Sequence, residues 1–182
     1  MGHPPGAVWL PSPSHAWLAD AVERVPAGHG GEPTELAKLL RGTDAAPAGT
    51  QLAAIAWVLD PDARRVLLVH HREYGWSCPG GHVEGDEDPA ATAARELSEE
   101  TGLVLEPEGP VSVSLGALSG GDRPHRHWLL GYRFQADLAT PLVAEEDPVA
   151  WHAVDALPTP HVADLAPLLS AIVAASASPP RH

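Results

Sequence analysis

Apolar residues recur along this chain in two rhythms. Residues 14–25 carry Trp17, Leu18, Ala21, Val22 and Val25 at helical spacing, and residues 33–40 predict a second short helix stopped by Gly42. Stretches rich in Gly, Pro and Ala at 26–31 and 43–49 separate them from their neighbours, so residues 1–50 read as a helical extension and linker. From Gln51 the rhythm shortens. Residues 52–59, the turn Asp60-Pro61-Asp62 and residues 65–70 predict a β-hairpin. Further strands are predicted at 111–118, 128–136 and 149–154, then a helix over 162–174. Residues 176–182 are expected to be a disordered tail.

Between the hairpin and the later strands the pattern turns helical again. Asp88 suits an N-cap, Pro89 the first helical position and Gly102 a left-handed C-terminal residue, which predicts a helix over 89–101. Glu96 lies three and four residues from Glu99 and Glu100, so the three carboxylates share one neighbourhood of its surface. Arg95, four residues before Glu99, is close enough to orient it, and Ala90, Ala94 and Leu97 fall on another side that can pack against a sheet.

Charge sharpens the reading. The chain carries a net charge of −13, and residues 81–103 hold seven acids against the single Arg95. Such crowding opposes folding unless cations neutralise it, and carboxylate oxygens are the donors that hard divalent ions prefer. An acidic surface is also the wrong partner for duplex nucleic acid, whereas a small nucleotide remains a possible substrate. Hydrophobic residues make up 44% and charged residues 19% of the 182, as expected of one globular domain. Cys78 is the only cysteine, so no intramolecular disulfide can form. The first residues have neither a basic start nor a long apolar run, and the longest apolar stretch, 52–59, is too short for a bilayer. A cytoplasmic protein with no membrane partner is expected.

The order Gly81, five residues, Glu87, seven residues, then Arg95-Glu96-Leu97-Ser98-Glu99-Glu100-Thr101-Gly102-Leu103 resembles a complete Nudix box, the signature of the Nudix hydrolase family. Chance would produce such a match less than about once in a million sequences of this composition. The resemblance covers about residues 51–160. It implies an α/β fold, the Nudix α/β/α sandwich with a mixed β-sheet, here over residues 51–175 and preceded by the short helical extension. The segments from His70-His71-Arg72 through Pro79-Gly80-Gly81-His82-Val83-Glu84 further resemble a bacterial, MutT-like subgroup with an N-terminal helical extension. Where related members carry an acid after the later histidine pair, this chain has Trp128.

What the resemblance implies for function is a pyrophosphohydrolase using Mg²⁺, with Mn²⁺ as a substitute. It would cleave a diphosphate linkage in a nucleoside diphosphate joined to another moiety, or in a nucleoside triphosphate. Gly80, through its carbonyl, and Glu96, Glu99 and Glu100 would ligate metal, Arg95 would lock the glutamates, and Glu87 would support the loop. Gly80 and Gly81 would permit a tight turn that brings the carbonyl inward. Glu96 or Glu99 is the expected general base, with Glu145 and Glu146 as loop candidates. The same resemblance admits a homodimer. A Nudix-fold binding or regulatory module without turnover is the other class of function, and the intact acidic set argues against it, since a mere binder gains nothing from that repulsion.

Substrate contacts are less marked. Trp76 precedes the box and is placed to stack on a base; Arg72, Arg123, Arg126 and Arg133 offer forks for phosphate oxygens. His70-His71, His82 and His125-x-His127 suggest zinc, yet no Cys-x-x-Cys or His-Glu-x-x-His accompanies them. On a strand His125 and His127 would share a face and could line a substrate pocket. The helical extension either packs on the main domain or, as a sharper alternative, covers substrate or forms a dimer contact.

Overall fold

Strand β1 (Thr50–Leu59) is buried along nearly its whole length, as its run of Leu, Ala, Ile, Trp and Val demands. In this computed structural model, which describes residues 13–26, 33–46, 50–118, 125–144 and 147–176, β1 lies at the centre of a mixed sheet. One side of β1 pairs in parallel with β6 (His125–Gln135), from Thr50 opposite Arg126 to Leu59 opposite Gln135. Its other side pairs antiparallel with β4 (Gly80–His82) at residues 53–55, and with β2 (Arg65–His71) only at Leu59 and Val66.

The arms of the predicted hairpin therefore part just beyond their turn. The segment before the box takes the edge of β1 instead, fastened by Ala56 N–H to the Pro79 carbonyl at 2.8 Å and Val83 N–H to the Leu52 carbonyl at 3.0 Å. Strand β2 goes on to pair with β7 (Val149–Ala153) and with β3 (Gly75–Ser77), while β5 (Gly109–Leu118) lies antiparallel against β6. Seven strands form this sheet among the described residues.

Alternation along the strands divides the apolar residues between two faces. On one face Leu52, Ala54, Ala56 and Val58 join Leu130, Tyr132 and Phe134 beneath helix α3 (Pro89–Thr101), whose Ala93 and Leu97 are fully buried. On the other, Trp57, Leu59, Val66 and Leu68 pack under helix α4 (Leu165–Ser176) through Leu165, Leu168, Leu169 and Ile172. The result is a helix–sheet–helix sandwich with a mixed sheet.

The N-terminal helices join the α3 face. A 3-10 segment (Pro13–Leu18) leads into the single turn α1 (Ala19–Glu23), and α2 (Pro33–Leu40) follows, ended by Gly42 at φ +69°. Leu18, Val22, Leu36 and Leu40 are buried in the same core as Leu97. The first of these helices departs from the continuous one predicted, because over so few residues apolar spacing fits the tighter 3-10 winding as well as the α form. Trp17, counted with the apolar stripe, is 60% exposed.

One glycine shows how closely the strands pack. A Cβ at Gly131 would overlap Ser112 Oγ and Trp57 Nε1, the two atoms that form a buried 2.8 Å hydrogen bond. Gly131→Ala is expected to cost about 1–3 kcal/mol in chemical denaturation, the usual range for overpacking. An unchanged midpoint would show that this contact yields more easily than the packing implies.

Candidate functional site

Helix α3 forms where the sequence places its signals. The Asp88 side chain accepts from Ala90 N–H at 2.8 Å, Pro89 opens the helix, and Gly102 closes it in the left-handed region at φ +74°. Because Ala93 and Leu97 face the core, the intervening Arg95 and Glu96, with Glu99 and Glu100, come to the rim of the sheet beside β4.

Arg95 ties the group together. Its Nε and Nη2 lie 3.1 and 3.2 Å from the two carboxylate oxygens of Glu87, a bidentate grip that Thr92 Oγ1 supplements at 2.8 Å. Its Nη1 reaches Glu96 Oε1 at 2.8 Å and Glu99 Oε2 at 3.4 Å. The guanidinium holds Glu87 below the usual carboxylate range, helped by Thr92, whereas burial pushes Glu96 up despite Arg95. Glu100 stands apart from the arginine. Burial, then the charges of Glu96, Asp147 and Glu99, push it up to about 7 against the opposing Gly80 N–H bond of 3.2 Å.

Gly80 and Gly81 serve this cluster differently from the predicted tight turn. Both stand in strand β4, and neither is among the positive-φ glycines. They supply room: a Cβ on Gly81 would overlap the Glu96 carboxylate, and one on Gly80 would strike the Ala54 carbonyl and the Ile55 side chain. Gly80 approaches Glu100 through its N–H.

Next to the acids opens a cavity of about 490 Å³ on the α4 face of the sheet. Ala53, Ile55 and Leu129 lie on its floor, Leu165 and Leu168 close it from above, and Gly80 and Gly81 form its boundary with the carboxylates. Two histidines from the strands flanking β1 meet there, His82 opposite Ala53 and His127 opposite Gln51, with His82 Nε2 lying 2.7 Å from His127 Nε2. Ser114 also lines the cavity; its Oγ is buried and has no hydrogen-bond partner among the described residues. At the acidic end, His71 Nδ1 lies 3.3 Å from Asp147 Oδ2 and His71 Nε2 lies 4.0 Å from Glu100 Oε1. Burial lowers the pKa of His71, with Asp147 opposing, and Tyr74 beside it is raised to about 12, mainly by burial.

The structure thus assembles Gly80, Gly81, Glu87, Arg95, Glu96, Glu99 and Glu100, with His127 on the adjoining cavity. Other candidates lie elsewhere. Trp76 packs edge-on between the His70 and His152 rings, 5.1 and 4.4 Å away, and does not line the cavity. Arg133 reaches Ser176 Oγ at 2.7 Å and Glu108 at 3.4 Å, beside a separate hollow between α1, β5 and α4. Arg72 and Arg126 are exposed and outside the cavity lining. Arg123, Glu145, Glu146 and the side chain of His125 lie outside the described residues, as do residues 177–182. Asp147, Ser114 and Tyr74 were not anticipated; only Asp147 had a sequence signal, as the third acid of the run 145–147. None of the described N-terminal residues lines this cavity, so their packing on the α3 face does not cover it.

Metal-binding capacity follows from donor type. Glu96, Glu99 and Glu100 offer hard oxygens in one acidic neighbourhood, and the upward push on Glu100 comes first from burial and then from the charges of Glu96, Asp147 and Glu99. Among the described residues no three His, Cys, Asp or Glu side chains converge on one point as they stand. Arg95 engages one oxygen of Glu96 and one of Glu99, so the second oxygen of each stands outside its grip. No described helix is long and apolar enough to cross a membrane.

Comparison with known proteins agrees with this picture. The chain is 50% identical over 54 residues to a CMP-5'-(N-acetyl-N-hydroxy-3-aminopropyl)phosphonate hydrolase of Streptomyces rubellomurinus, covering 28% of this chain and 26% of that protein. It is 41% identical over 66 residues to diphosphoinositol polyphosphate phosphohydrolase 2 of Rattus norvegicus, covering 35% of each. The matched segments thus span about a quarter to a third of these relatives' lengths. The solved structure of a MutT protein from Methanosarcina mazei Go1 superposes with a TM-score of 0.56 at 18% identity, covering 71% of this chain and 96% of that one, a likeness of fold. The NUDIX domain family model matches residues 49–172, more than half of the sequence, and the chain belongs to the Nudix family.

Proposed function

We propose that this protein is a divalent-metal-dependent pyrophosphohydrolase that splits a diphosphate linkage in a nucleoside diphosphate joined to another moiety, or in a nucleoside triphosphate. The observation that carries the reading is the juxtaposition of Glu96, Glu99 and Glu100, braced by Arg95 and Glu87, with the mouth of the cavity at Gly80 and Gly81. A diphosphate repels any nucleophile, so its hydrolysis needs charge neutralisation and a held water. Glu96, Glu99 and Glu100, with the Gly80 carbonyl, would hold Mg²⁺ or Mn²⁺. When bound, such an ion screens phosphate oxygens and acidifies water. Arg95 keeps Glu96 and Glu99 in place, and one of these two glutamates accepts the proton of the attacking water. Residues 51–175 form the hydrolase unit and residues 1–50 its appendage.

The cavity would take the group on one side of the scissile bond. Its walls are mostly apolar, polar side chains come from Ser77, Ser114, the His82–His127 pair, His71, Tyr74 and Asp164, and no described lining residue is Lys or Arg. That pattern suits a flat heterocycle with apolar faces and a polar edge, and penalises a polyhydroxyl or polyphosphate ring, whose groups would lose water without partners. Of the two relatives' substrate types, the CMP-linked one fits better than the inositol one. A panel of nucleoside diphosphate conjugates, triphosphates and diphosphoinositol polyphosphates, assayed with Mg²⁺, tests this. A nucleotide is expected to be preferred, and His127→Leu to raise its KM about tenfold with little change in kcat, the worth of one lost hydrogen bond to substrate. Preference for the inositol compound would overturn the assignment of the cavity.

A further inference from the structure

The N-terminal segment makes a polar contact with the acidic loop that its apolar docking does not require. His15 is 1% exposed, and its Nε2 lies 2.8 Å from the backbone oxygen of Glu87, 72 residues away. A carbonyl oxygen only accepts, so Nε2 carries the proton and donates. The other ring nitrogen, Nδ1, is buried with no hydrogen-bond partner among the described residues. An apolar side chain of similar size would leave no orphaned nitrogen but would take this donor away from the Glu87 carbonyl, so what the histidine adds to packing is its hold on that carbonyl.

The partner is what gives the contact meaning. Glu87 closes a loop in which Glu84, Asp86, Glu87 and Asp88 repel one another, and its own N–H holds only the Glu84 carbonyl, at 2.9 Å. Its side chain carries the bidentate grip on Arg95, and Arg95 in turn holds Glu96 and Glu99. His15 therefore stands at the far end of a continuous series of contacts, His15 to Glu87 to Arg95 to the two glutamates. The series starts from a firm base, since Leu18, Ala19 and Val22 are buried in the same core as Ala93 and Leu97 of α3.

We propose that the N-terminal segment is a positioning element of the hydrolytic site. His15 fixes the Glu87 backbone, and through Glu87 and Arg95 it sets the carboxylates of Glu96 and Glu99. The kinetic consequence rests on the hydrolase reading above; the tether itself does not.

Full-length His15→Ala, His15→Asn and His15→Gln proteins separate this role from simple packing. Glutamine carries its amide nitrogen at the reach of Nε2, whereas asparagine carries it at the reach of Nδ1. Below the unfolding range, the Ala and Asn variants are expected to lose about tenfold in kcat with KM within about twofold, the lower end of what supporting residues around a metal site contribute. His15→Gln is expected to recover to within about twofold of wild type. Hydrogen exchange over residues 84–92 is expected to quicken in the Ala and Asn variants and not in Val22→Ala, a purely apolar truncation in the same segment. Wild-type kcat in His15→Ala, rescue by Asn equal to that by Gln, or an equal loss of kcat in Val22→Ala would overturn the proposal. If no diphosphate is turned over by the wild type, the exchange experiment still decides it: unchanged exchange at 84–92 in His15→Ala overturns the tether, and quickened exchange supports it.

Discussion

Replacing Glu99 or Glu100 by glutamine is expected to lower Mg²⁺-supported kcat by at least about 100-fold, more than the loss of a supporting residue around a metal site typically costs. Glutamine keeps the shape and removes the charge, so the test isolates the ionic role. In Glu100→Gln the side-chain oxygen can still accept the Gly80 N–H, and the fold is expected to persist because a neutral group replaces a carboxylate whose burial is unfavourable. Glu99 is 59% exposed in its side chain, so weakening its 3.4 Å contact with Arg95 is expected to cost the fold little. Melting curves recorded alongside steady-state kinetics separate lost chemistry from lost structure. Turnover at the wild-type rate in either variant would remove that residue from the metal site.

The second large effect concerns stability and pH in the metal-free protein. Burial, reinforced by Glu96, Asp147 and Glu99, pushes the Glu100 carboxyl up to about 7, above the roughly 4.3 of an unfolded chain. A folded state that binds a proton more tightly than the unfolded state is favoured at low pH. The cost of ionising Glu100 is thus absent below about pH 4 and accumulates as pH rises toward 7, where it reaches on the order of 3 kcal/mol. In EDTA, the thermal midpoint is expected to fall between pH 5.5 and 8 more steeply for wild type than for Glu100→Gln. Added Mg²⁺ is expected to raise the wild-type midpoint chiefly at the alkaline end, where the carboxylate is ionised and a cation relieves the repulsion. Parallel pH profiles for the two proteins in EDTA would refute the assignment of this burden to Glu100.

The parts of the molecule legible in the sequence are those whose causes are local. Asp88, Pro89 and Gly102 bound α3 at the residues predicted, because a cap and a left-handed glycine act over one turn. Glu96, Glu99 and Glu100 share a neighbourhood because helical spacing alone brings them together. Pairing across the sheet was not legible. Periodicity marks β1 as a strand and says nothing of its parallel partner β6, about 75 residues on, or of the three-residue β4 that displaces β2 from its edge. His82 and His127 each stood out in the sequence, yet their meeting depends on both strands flanking β1. Trp76 illustrates the converse error: nearness to the box in sequence suggested a stacking platform, and the pairing of β3 with β2 sets it instead between His70 and His152. His15 drew no notice because its partner is 72 residues distant.

The central claim is that the acidic neighbourhood of α3 directs water onto phosphorus in a diphosphate. The most direct measurement is turnover of a preferred nucleoside diphosphate conjugate in ¹⁸O-water with Mg²⁺, with mass analysis of both products. The account predicts two products that each end in phosphate, one of them carrying a single ¹⁸O, and no turnover in EDTA. A tightly bound substrate left intact in Mg²⁺, or products in which the diphosphate survives unbroken, would contradict it.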